Sequence, residues 1–256
     1  MTRFISCISA KGGVGKTTLV ANLAGALADF GEDTIAMDAN LTTPNLGLHL
    51  GMHLAPNTIH HVLKNQASLN ESIYPHRYGF KILPASLSLN DLKNVDPTRL
   101  SEISFRLLGK ADYVLLDCAA GVGKEALSGL AASDEVLVIT NPTHAAVTDA
   151  LKIVRIAQNS NMKVLGAVVN RVTGNTHELK PRQVSDVLGI PLLSVIPEDR
   201  HISESTHEKK LIYEYSPNSP AAIQIRKLAA WISQKEYNPP LQDLGFWEKV
   251  VNWLTK

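Results

Sequence analysis

Residues 11–18, KGGVGKTT, carry the clearest chemical signal in the chain. A short apolar run precedes them and a long helical pattern follows, which is the setting that a phosphate-binding loop requires. Glycines in such a loop let backbone N–H groups face a polyphosphate without a Cβ in the way, and the following helix adds the positive end of its dipole. The residues expected to contact the phosphates are Lys11, Gly12, Gly13, Val14, Gly15, Lys16, Thr17 and Thr18.

Three side chains of this loop suit a nucleoside triphosphate bound together with Mg²⁺. Lys16 would reach the β- and γ-phosphates, and Thr17 would bind the cation through its hydroxyl group. Thr18 follows at the position expected to hydrogen-bond the α-phosphate. A plain phosphate loop does not need a lysine at its start, so Lys11 is an additional feature of this motif.

The elements that must position this loop alternate between strand and helix. Short apolar runs predict buried strands at residues 4–9, 34–38, 80–84, 113–117, 135–140, 163–170 and 192–197. Helical patterns lie between them, at residues 16–30, 97–108, 124–132, 144–158, 181–187 and 220–234. Because the strands are apolar on both faces, we predict an α/β fold: a doubly wound, mostly parallel sheet with helices on both faces.

Composition excludes several classes of protein. Lys and Arg number 25 against 24 Asp and Glu, and 45% of the residues are apolar. This balance is typical of a folded globular chain and gives no global charge argument for binding nucleic acid. Cys7 and Cys118 are too few for a disulfide framework, which favours a reducing compartment. No apolar run is long enough to predict a membrane-spanning helix.

The C-terminal part of the sequence predicts two further segments after a domain of residues 1–234. Residues 235–245, KEYNPPLQDLG, read as a linker because Pro-Pro cannot continue a helix. Residues 246–256, FWEKVVNWLTK, separate into an apolar and a polar face at helical spacing. The apolar face contains Phe246, Trp247, Val250, Val251, Trp253 and Leu254.

A helix as short as residues 246–256 is marginal in water and needs a surface on which to fold. Tryptophan and phenylalanine on its apolar face favour the headgroup boundary of a membrane. Docking against the protein's own core or against a protein partner are the alternatives. Glu248 offsets part of the charge of Lys249 and Lys256, so lipid binding is expected to depend mainly on apolar insertion.

With these motifs the chain resembles the deviant Walker A group, the MinD/ParA superfamily of dimerising ATPases. Within that group it is most similar to MinD, especially to archaeal MinD-like proteins. The resemblance runs from residue 2 to about residue 233, and residues 246–256 fit as well. It is carried by KGGVGKTT at 11–18, DANLTTPNL at 38–46, ILPAS at 82–86, DCAAG at 117–121, TNP at 140–142, NR at 170–171 and IPED at 196–199.

The resemblance implies ATP and Mg²⁺ as ligands and a homodimer with ATP at its interface. Lys11 would cross that interface to the partner's nucleotide, where a cation supplied in trans couples pairing to the γ-phosphate. Asp117 would hold Mg²⁺ through water, and Asp38 would lie near the metal and the γ-phosphate. Asp149 matches a surface position used for partner contacts, although a solvated helix face explains it equally well.

The resemblance also implies an adenine site. Asn170, in the NR run with Arg171, matches an adenine-reading amide. An asparagine that caps or turns the chain after a strand is the alternative. Pro197, Glu198 and Asp199 would line the other side of the base, unless they form an ordinary proline-containing turn.

Three positions depart from the family pattern. Ala10 replaces the first glycine of the loop, which is tolerable if its φ is negative. Ala119 replaces a proline after Asp117. Asn40 stands where the family has an aspartate that handles the attacking water, and an amide cannot accept the proton as a base does. We expect slow hydrolysis, since general-base catalysis contributes about 10²–10⁴-fold. A small effect, or a substitution that traps the ATP state, are the alternatives.

These expectations combine into one function. The chain would be a Mg·ATP-dependent dimerising ATPase, cytoplasmic and peripheral on the inner face of the cell membrane, that positions machinery such as the division site. A regulatory protein partner of unknown identity is expected, and nucleic acid is not. The alternatives are a partition ATPase that binds nonspecific DNA and a non-hydrolysing ATP-bound scaffold on the membrane.

Overall fold

A single eight-stranded sheet organises the protein in the computed structural model, which describes residues 1–239. Its strands are β1 Arg3–Ile8, β2 Thr34–Ala39, β3 Tyr74–Pro75, β4 Lys81–Leu83, β5 Tyr113–Cys118, β6 Glu135–Thr140, β7 Lys163–Val172 and β8 Leu192–Pro197. Their order across the sheet is β3-β4-β2-β5-β1-β6-β7-β8. All neighbouring strands in it run parallel except β3 and β4.

Helices connect the strands. They are α1 Lys16–Asp29, α2 Leu46–His49, α3 Ile59–Leu63, α4 Leu89–Leu92, α5 Leu100–Leu107, α6 Lys124–Ala131, α7 His144–Asn159, α8 Pro181–Leu188, α9 Arg200–His207, α10 Ile212–Tyr215 and α11 Pro220–Ser233. None of the helices within residues 1–239 combines the length and the apolar character that a membrane span requires.

Two apolar layers cover the faces of the sheet, and β5 shows how its residues divide between them. Val114 and Leu116 belong to one buried cluster, and Leu115 belongs to the other. Successive side chains of a strand point to opposite faces, so a central strand must be apolar throughout. The doubly wound, mostly parallel fold predicted from the sequence is confirmed.

Several element boundaries differ from the sequence prediction. The helix predicted at residues 97–108 is a 3₁₀ turn, Pro97–Arg99, followed by α5. The strand predicted to end at residue 170 continues to Val172. The antiparallel edge strand β3 was not predicted, because its two residues are too few to show alternation and one is a proline.

The carboxyl ends of the parallel strands meet at one edge of the sheet, here called the carboxyl edge. The phosphate loop follows β1, Asp38 lies in β2, Asp117 lies in β5 and Asn170 lies in β7. In open α/β sheets, ligands bind at this edge where neighbouring connections leave in opposite directions. The topology alone therefore brings the main candidate residues together.

The chain leaves the described region at the opposite, amino edge. Near the end of α11, the carbonyl of Ile232 accepts a hydrogen bond from Arg3 Nη1 at 2.8 Å. The ring of Tyr237 then packs edge-on against Phe30, with 6.1 Å between centroids. The predicted helix at residues 246–256 lies outside the described residues.

Candidate functional site

The loop at residues 11–18 forms an open cradle for an anion. Gly13 and Gly15 have φ values of 79° and 90°, a left-handed conformation that favours glycine. A Cβ added to Gly12 or Gly13 would meet no atom within 4 Å, so the space in front of the loop is free. Ala10 is outside the left-handed region, so the missing first glycine strains nothing.

A buried ion pair lies beneath this cradle. Lys16 Nζ lies 2.5 Å from Asp117 Oδ1, and Thr17 Oγ1 donates to Asp117 Oδ2 at 2.7 Å. Burial alone would lower the pKa of Lys16, but the charge of Asp117 and its hydrogen bond outweigh burial and raise the pKa. The lysine is therefore fully charged and turned toward the carboxylate, from which an incoming phosphate can draw it.

Asp38 is fully buried beside this pair and holds the loop at residues 40–45. Its Oδ1 accepts the N–H of Asn40 at 3.1 Å, and its Oδ2 accepts the N–H of Leu46 at 3.0 Å. Burial, together with the nearby charge of Asp117, raises the pKa of Asp38. A cation held at this site would oppose that shift and favour the ionised form of Asp38.

The donor set fits Mg²⁺. A hydroxyl group and two carboxylates, from Thr17, Asp117 and Asp38, are hard oxygen ligands of the kind that Mg²⁺ uses, with water and phosphate oxygens completing its shell. When bound, the cation neutralises developing charge on the transferred phosphoryl group. Lys16 supplies a fixed positive charge and the loop N–H groups supply hydrogen bonds.

Asn40 has its whole amide group engaged within its own loop. Its Nδ2 donates to the carbonyl of Thr43 at 2.5 Å, and its Oδ1 accepts from Thr43 Oγ1 at 3.1 Å. These bonds close a small turn in which the side chain is mostly buried. In the present arrangement Asn40 therefore stabilises the loop through Thr43.

Sequence reasoning missed a contact between this loop and α6. Glu125 accepts two hydrogen bonds from Thr42, one from its N–H at 2.8 Å and one from its hydroxyl at 2.6 Å. The loop that follows Asp38 is thereby joined to the first turn of α6. No local signal could have predicted the pair, since 83 positions separate its members.

His60, in α3, is a further polar residue that sequence reasoning did not connect with this site. It is fully buried, with Nε2 at 3.0 Å from the carbonyl of Leu41 and Nδ1 accepting from the N–H of Ser86 at 3.0 Å. Both ring nitrogens are satisfied in the neutral form, and burial lowers the pKa of His60. The residue is a structural support for the start of the loop at residues 40–45, through Leu41.

Asn170 and Arg171 both contact the outside of the phosphate loop. Asn170 Nδ2 donates to the carbonyl of Val14 at 2.7 Å, and Arg171 Nη1 donates to the carbonyl of Gly13 at 3.2 Å. The guanidinium of Arg171 also lies 3.6 Å from Glu198 Oε2. Two of the side chains predicted to lie near adenine, those of Asn170 and Arg171, thus hydrogen-bond backbone carbonyls of the phosphate loop.

Asp199 is occupied by backbone groups. Its Oδ1 accepts the N–H of His201 at 3.0 Å, and its Oδ2 accepts the N–H of Ala221 at 3.3 Å. It caps α9 and ties that helix to α11, and β8 ends just before it, at Pro197. These bonds, with the one from the ring of His201, hold the pKa of Asp199 below its ordinary value even though its burial acts in the opposite direction.

Lys11 points away from its own phosphate loop. Its ammonium lies 3.3 Å from Asp149 Oδ2 on α7, and its side chain is 45% exposed. Lys152 pairs with the same carboxylate at 2.8 Å. The lysine is therefore held at the surface of the carboxyl edge, where a second molecule can reach it.

A glycine-rich loop between β1 and α1, with a buried lysine and two strand-end carboxylates, defines a P-loop nucleotide-binding protein. A model of the CobQ/CobB/MinD/ParA nucleotide binding domain matches residues 5–212. The chain belongs to this family, whose MinD and ParA members are ATPases. The prediction of a P-loop ATPase that uses Mg²⁺ is thereby confirmed.

Individual relatives cover nearly the whole chain. An uncharacterized ATP-binding protein of Methanocaldococcus jannaschii is 34% identical over 93% of this chain and 90% of its own. The septum site-determining protein MinD of Pyrococcus horikoshii, solved with Mg-ADP, is 37% identical with a TM-score of 0.89, covering 91% of this chain and 97% of that one. The cell division ATPase MinD of Pyrococcus furiosus is 37% identical, with the same TM-score over 91% and 99%.

Replacing Asp117 with asparagine is expected to destabilise the nucleotide-free protein and to remove the effect of Mg²⁺ on nucleotide binding. Removing one partner of a buried ion pair costs about 3–5 kcal/mol, because the other charge stays buried. We expect a loss in the free energy of unfolding near the lower end, since the amide still accepts from Lys16. With the carboxylate charge removed and Mg²⁺ chelated by EDTA, ATP should stabilise the variant more than it stabilises the wild type. Chemical denaturation would measure both the loss of stability and the effect of ATP.

Asp134→Asn is the matched control, because Asp134 is exposed and precedes β6 on the same sheet. It should behave as the wild type in both measurements. Unchanged stability of Asp117→Asn, or an intact response to Mg²⁺, would contradict the arrangement described for Lys16 and Asp117.

Proposed function

We propose that this chain is an ATP-dependent dimerising switch that binds membrane through residues 246–256. One observation carries the dimer: Lys11 stands at the carboxyl edge, paired with Asp149 and unused by its own phosphate loop. A lysine placed there can bind the triphosphate of a second copy, which makes dimerisation depend on the γ-phosphate. The ammonium group of Lys11 would leave its ion pair with Asp149 and form one with the phosphate, so its charge would stay paired.

The membrane part of the proposal rests on the sequence of residues 246–256, with its six-residue apolar face. One weak amphipathic anchor gives marginal and reversible binding. A dimer carries two anchors, and linking them can raise the overall affinity by roughly 10²–10⁴-fold without any new contact. ATP would then control residence on the inner face of the cell membrane by controlling dimerisation.

The cellular role we propose is positioning of machinery such as the division site, in concert with a regulatory protein partner. Two solved relatives at 37% identity are named for septum-site determination or cell division, and both span more than 90% of this chain. Asp149, on α7, is a candidate contact for the regulatory partner, since releasing Lys11 would remove one of the two lysines that pair with its carboxylate.

The test of the dimer is the molar mass in solution, measured by light scattering with ATP and with ADP. Wild-type protein should double its mass with ATP only, and Lys11→Ala should stay monomeric while still binding ATP. Lys152→Ala is the matched control, because it removes the other lysine that pairs with Asp149. A wild-type chain that stays monomeric with ATP, in solution and on vesicles, would end the proposal.

A further inference from the structure

Asn170 and Arg171 contact the same loop although they are neighbours in a strand. Successive side chains of a regular strand point to opposite faces of the sheet, so both could not reach one loop. The register between β7 and β8 shifts between Val169 and Val172, which places one extra residue on β7. The extra residue forms a β-bulge, a feature that re-aims side chains and recurs beside active sites.

The bulge places Arg171 in an unfavourable backbone conformation. Its φ is +59°, a left-handed conformation that is uncommon for a residue with a long side chain. Strained backbone of this kind persists where the surrounding structure enforces it, and it concentrates at functional sites. The side chain is 56% exposed, so burial of apolar surface does not explain the strain.

The two contacts orient two peptide groups of the phosphate loop. A trans peptide is planar, with its C=O and N–H pointing in opposite directions. Arg171 binds the carbonyl of Gly13, which fixes the N–H of Val14, and Asn170 binds the carbonyl of Val14, which fixes the N–H of Gly15. Holding the carbonyls outside the loop therefore aims two N–H groups into it, where the phosphates bind.

Close packing supports the same role. A Cβ added to Gly15 would collide with Asn170 Nδ2, so the amide lies directly against the loop backbone. Asn141 donates in turn to the carbonyl of Asn170 at 2.9 Å, which ties the bulge to the end of β6. The loop is thus supported from two neighbouring strands.

We propose that Arg171 is a positioning residue for the phosphate loop, acting with Asn170 through the bulge in β7, and that it does not read the base. The inference rests on nucleotide binding at this loop and is independent of dimerisation and of the membrane. It gives Arg171 a role separate from recognition of the base: the binding of phosphates should depend on Arg171 even when the ligand has no base.

The test measures the affinities of monomeric protein for ATP, GTP and inorganic tripolyphosphate by competition with a fluorescent ATP analogue. Arg171→Ala should weaken all three by a similar factor of about 3–10-fold, which is modest because the hydrogen bond is solvent-exposed. The ratio of ATP to GTP affinity should stay as in the wild type. Arg171→Lys, which keeps a donor, should recover most of the loss.

Arg171→Gly separates the side chain from the backbone strain, because glycine adopts a positive φ without cost. It should lose affinity as Arg171→Ala does, and melting of the unliganded variants should show that both are folded. A loss for ATP alone, a changed ATP-to-GTP ratio, or no loss for any ligand would overturn the proposal. Failure of tripolyphosphate to compete in the wild type would overturn it too, since a loop held in shape should bind phosphates without the base.

Discussion

Replacing Asn40 with aspartate is expected to raise the rate of ATP hydrolysis in a single turnover by about 10²-fold or more. A positioned general base typically contributes 10²–10⁴-fold, and an amide cannot take up the proton of the attacking water. The structure adds a reason for the side chain to move. An aspartate has no N–H to donate to the Thr43 carbonyl, so one carboxylate oxygen would be repelled from the turn that Asn40 closes.

Asn45→Asp is the matched control for this experiment. It makes the same amide-to-carboxylate change in the same loop, and Asn45 Nδ2 also donates to the carbonyl of Thr43, at 2.9 Å. Its rate should stay within a few-fold of the wild type. Equal single-turnover rates for Asn40→Asp and the unmodified chain would discard the slow-hydrolysis idea and assign positioning of the water to other groups.

Replacing Trp247 with glutamate is expected to abolish the ATP-dependent part of lipid binding. Wild-type protein should sediment with vesicles about 10²–10⁴-fold more strongly with ATP than with ADP, because a dimer carries two anchors. A charge on the apolar face removes the insertion of each anchor. The variant with ATP should therefore bind no better than the wild type with ADP.

The control places the same charge on the other face of the predicted helix. Thr255 falls among the polar residues at helical spacing, so Thr255→Glu should retain most of the ATP-dependent binding. Neutral and anionic vesicles should differ only modestly. Equal sedimentation of the wild type with ATP and ADP would rule out the switch. Equal loss of lipid binding in both variants would indicate that residues 246–256 dock against the protein's own core or against a protein partner.

Part of the site follows from rules that act locally. The loop at residues 11–18 is a contiguous motif, and Asp38 and Asp117 each occur where a buried strand approaches its carboxyl end. Parallel strands bring those ends to one edge, so the approximate position of each carboxylate follows without knowledge of the tertiary contacts. The buried pairing of Asp117 with Lys16 then completes the arrangement.

The remaining contacts depend on the three-dimensional structure. The bulge that turns Arg171 toward Gly13 has no signature in the sequence. A continuous apolar run predicts a regular strand, whose side chains alternate between the two faces of the sheet. The burial of His60 depends on partners in two distant loops that satisfy both of its ring nitrogens. In each case a polar side chain is positioned by a backbone group that only the assembled fold supplies.

The packing of Tyr237 against Phe30 sets where the proposed linker to residues 246–256 begins, which is at the amino edge of the sheet. Helix α1 has 14 residues, so Phe30 lies about 21 Å from the phosphate loop at the carboxyl edge. From Tyr237, residues 238–245 can span at most about 29 Å. In the proposed dimer, two copies joined at their carboxyl edges would carry these linkers at opposite ends. Both anchors could then reach one membrane only if the dimer lay along its surface.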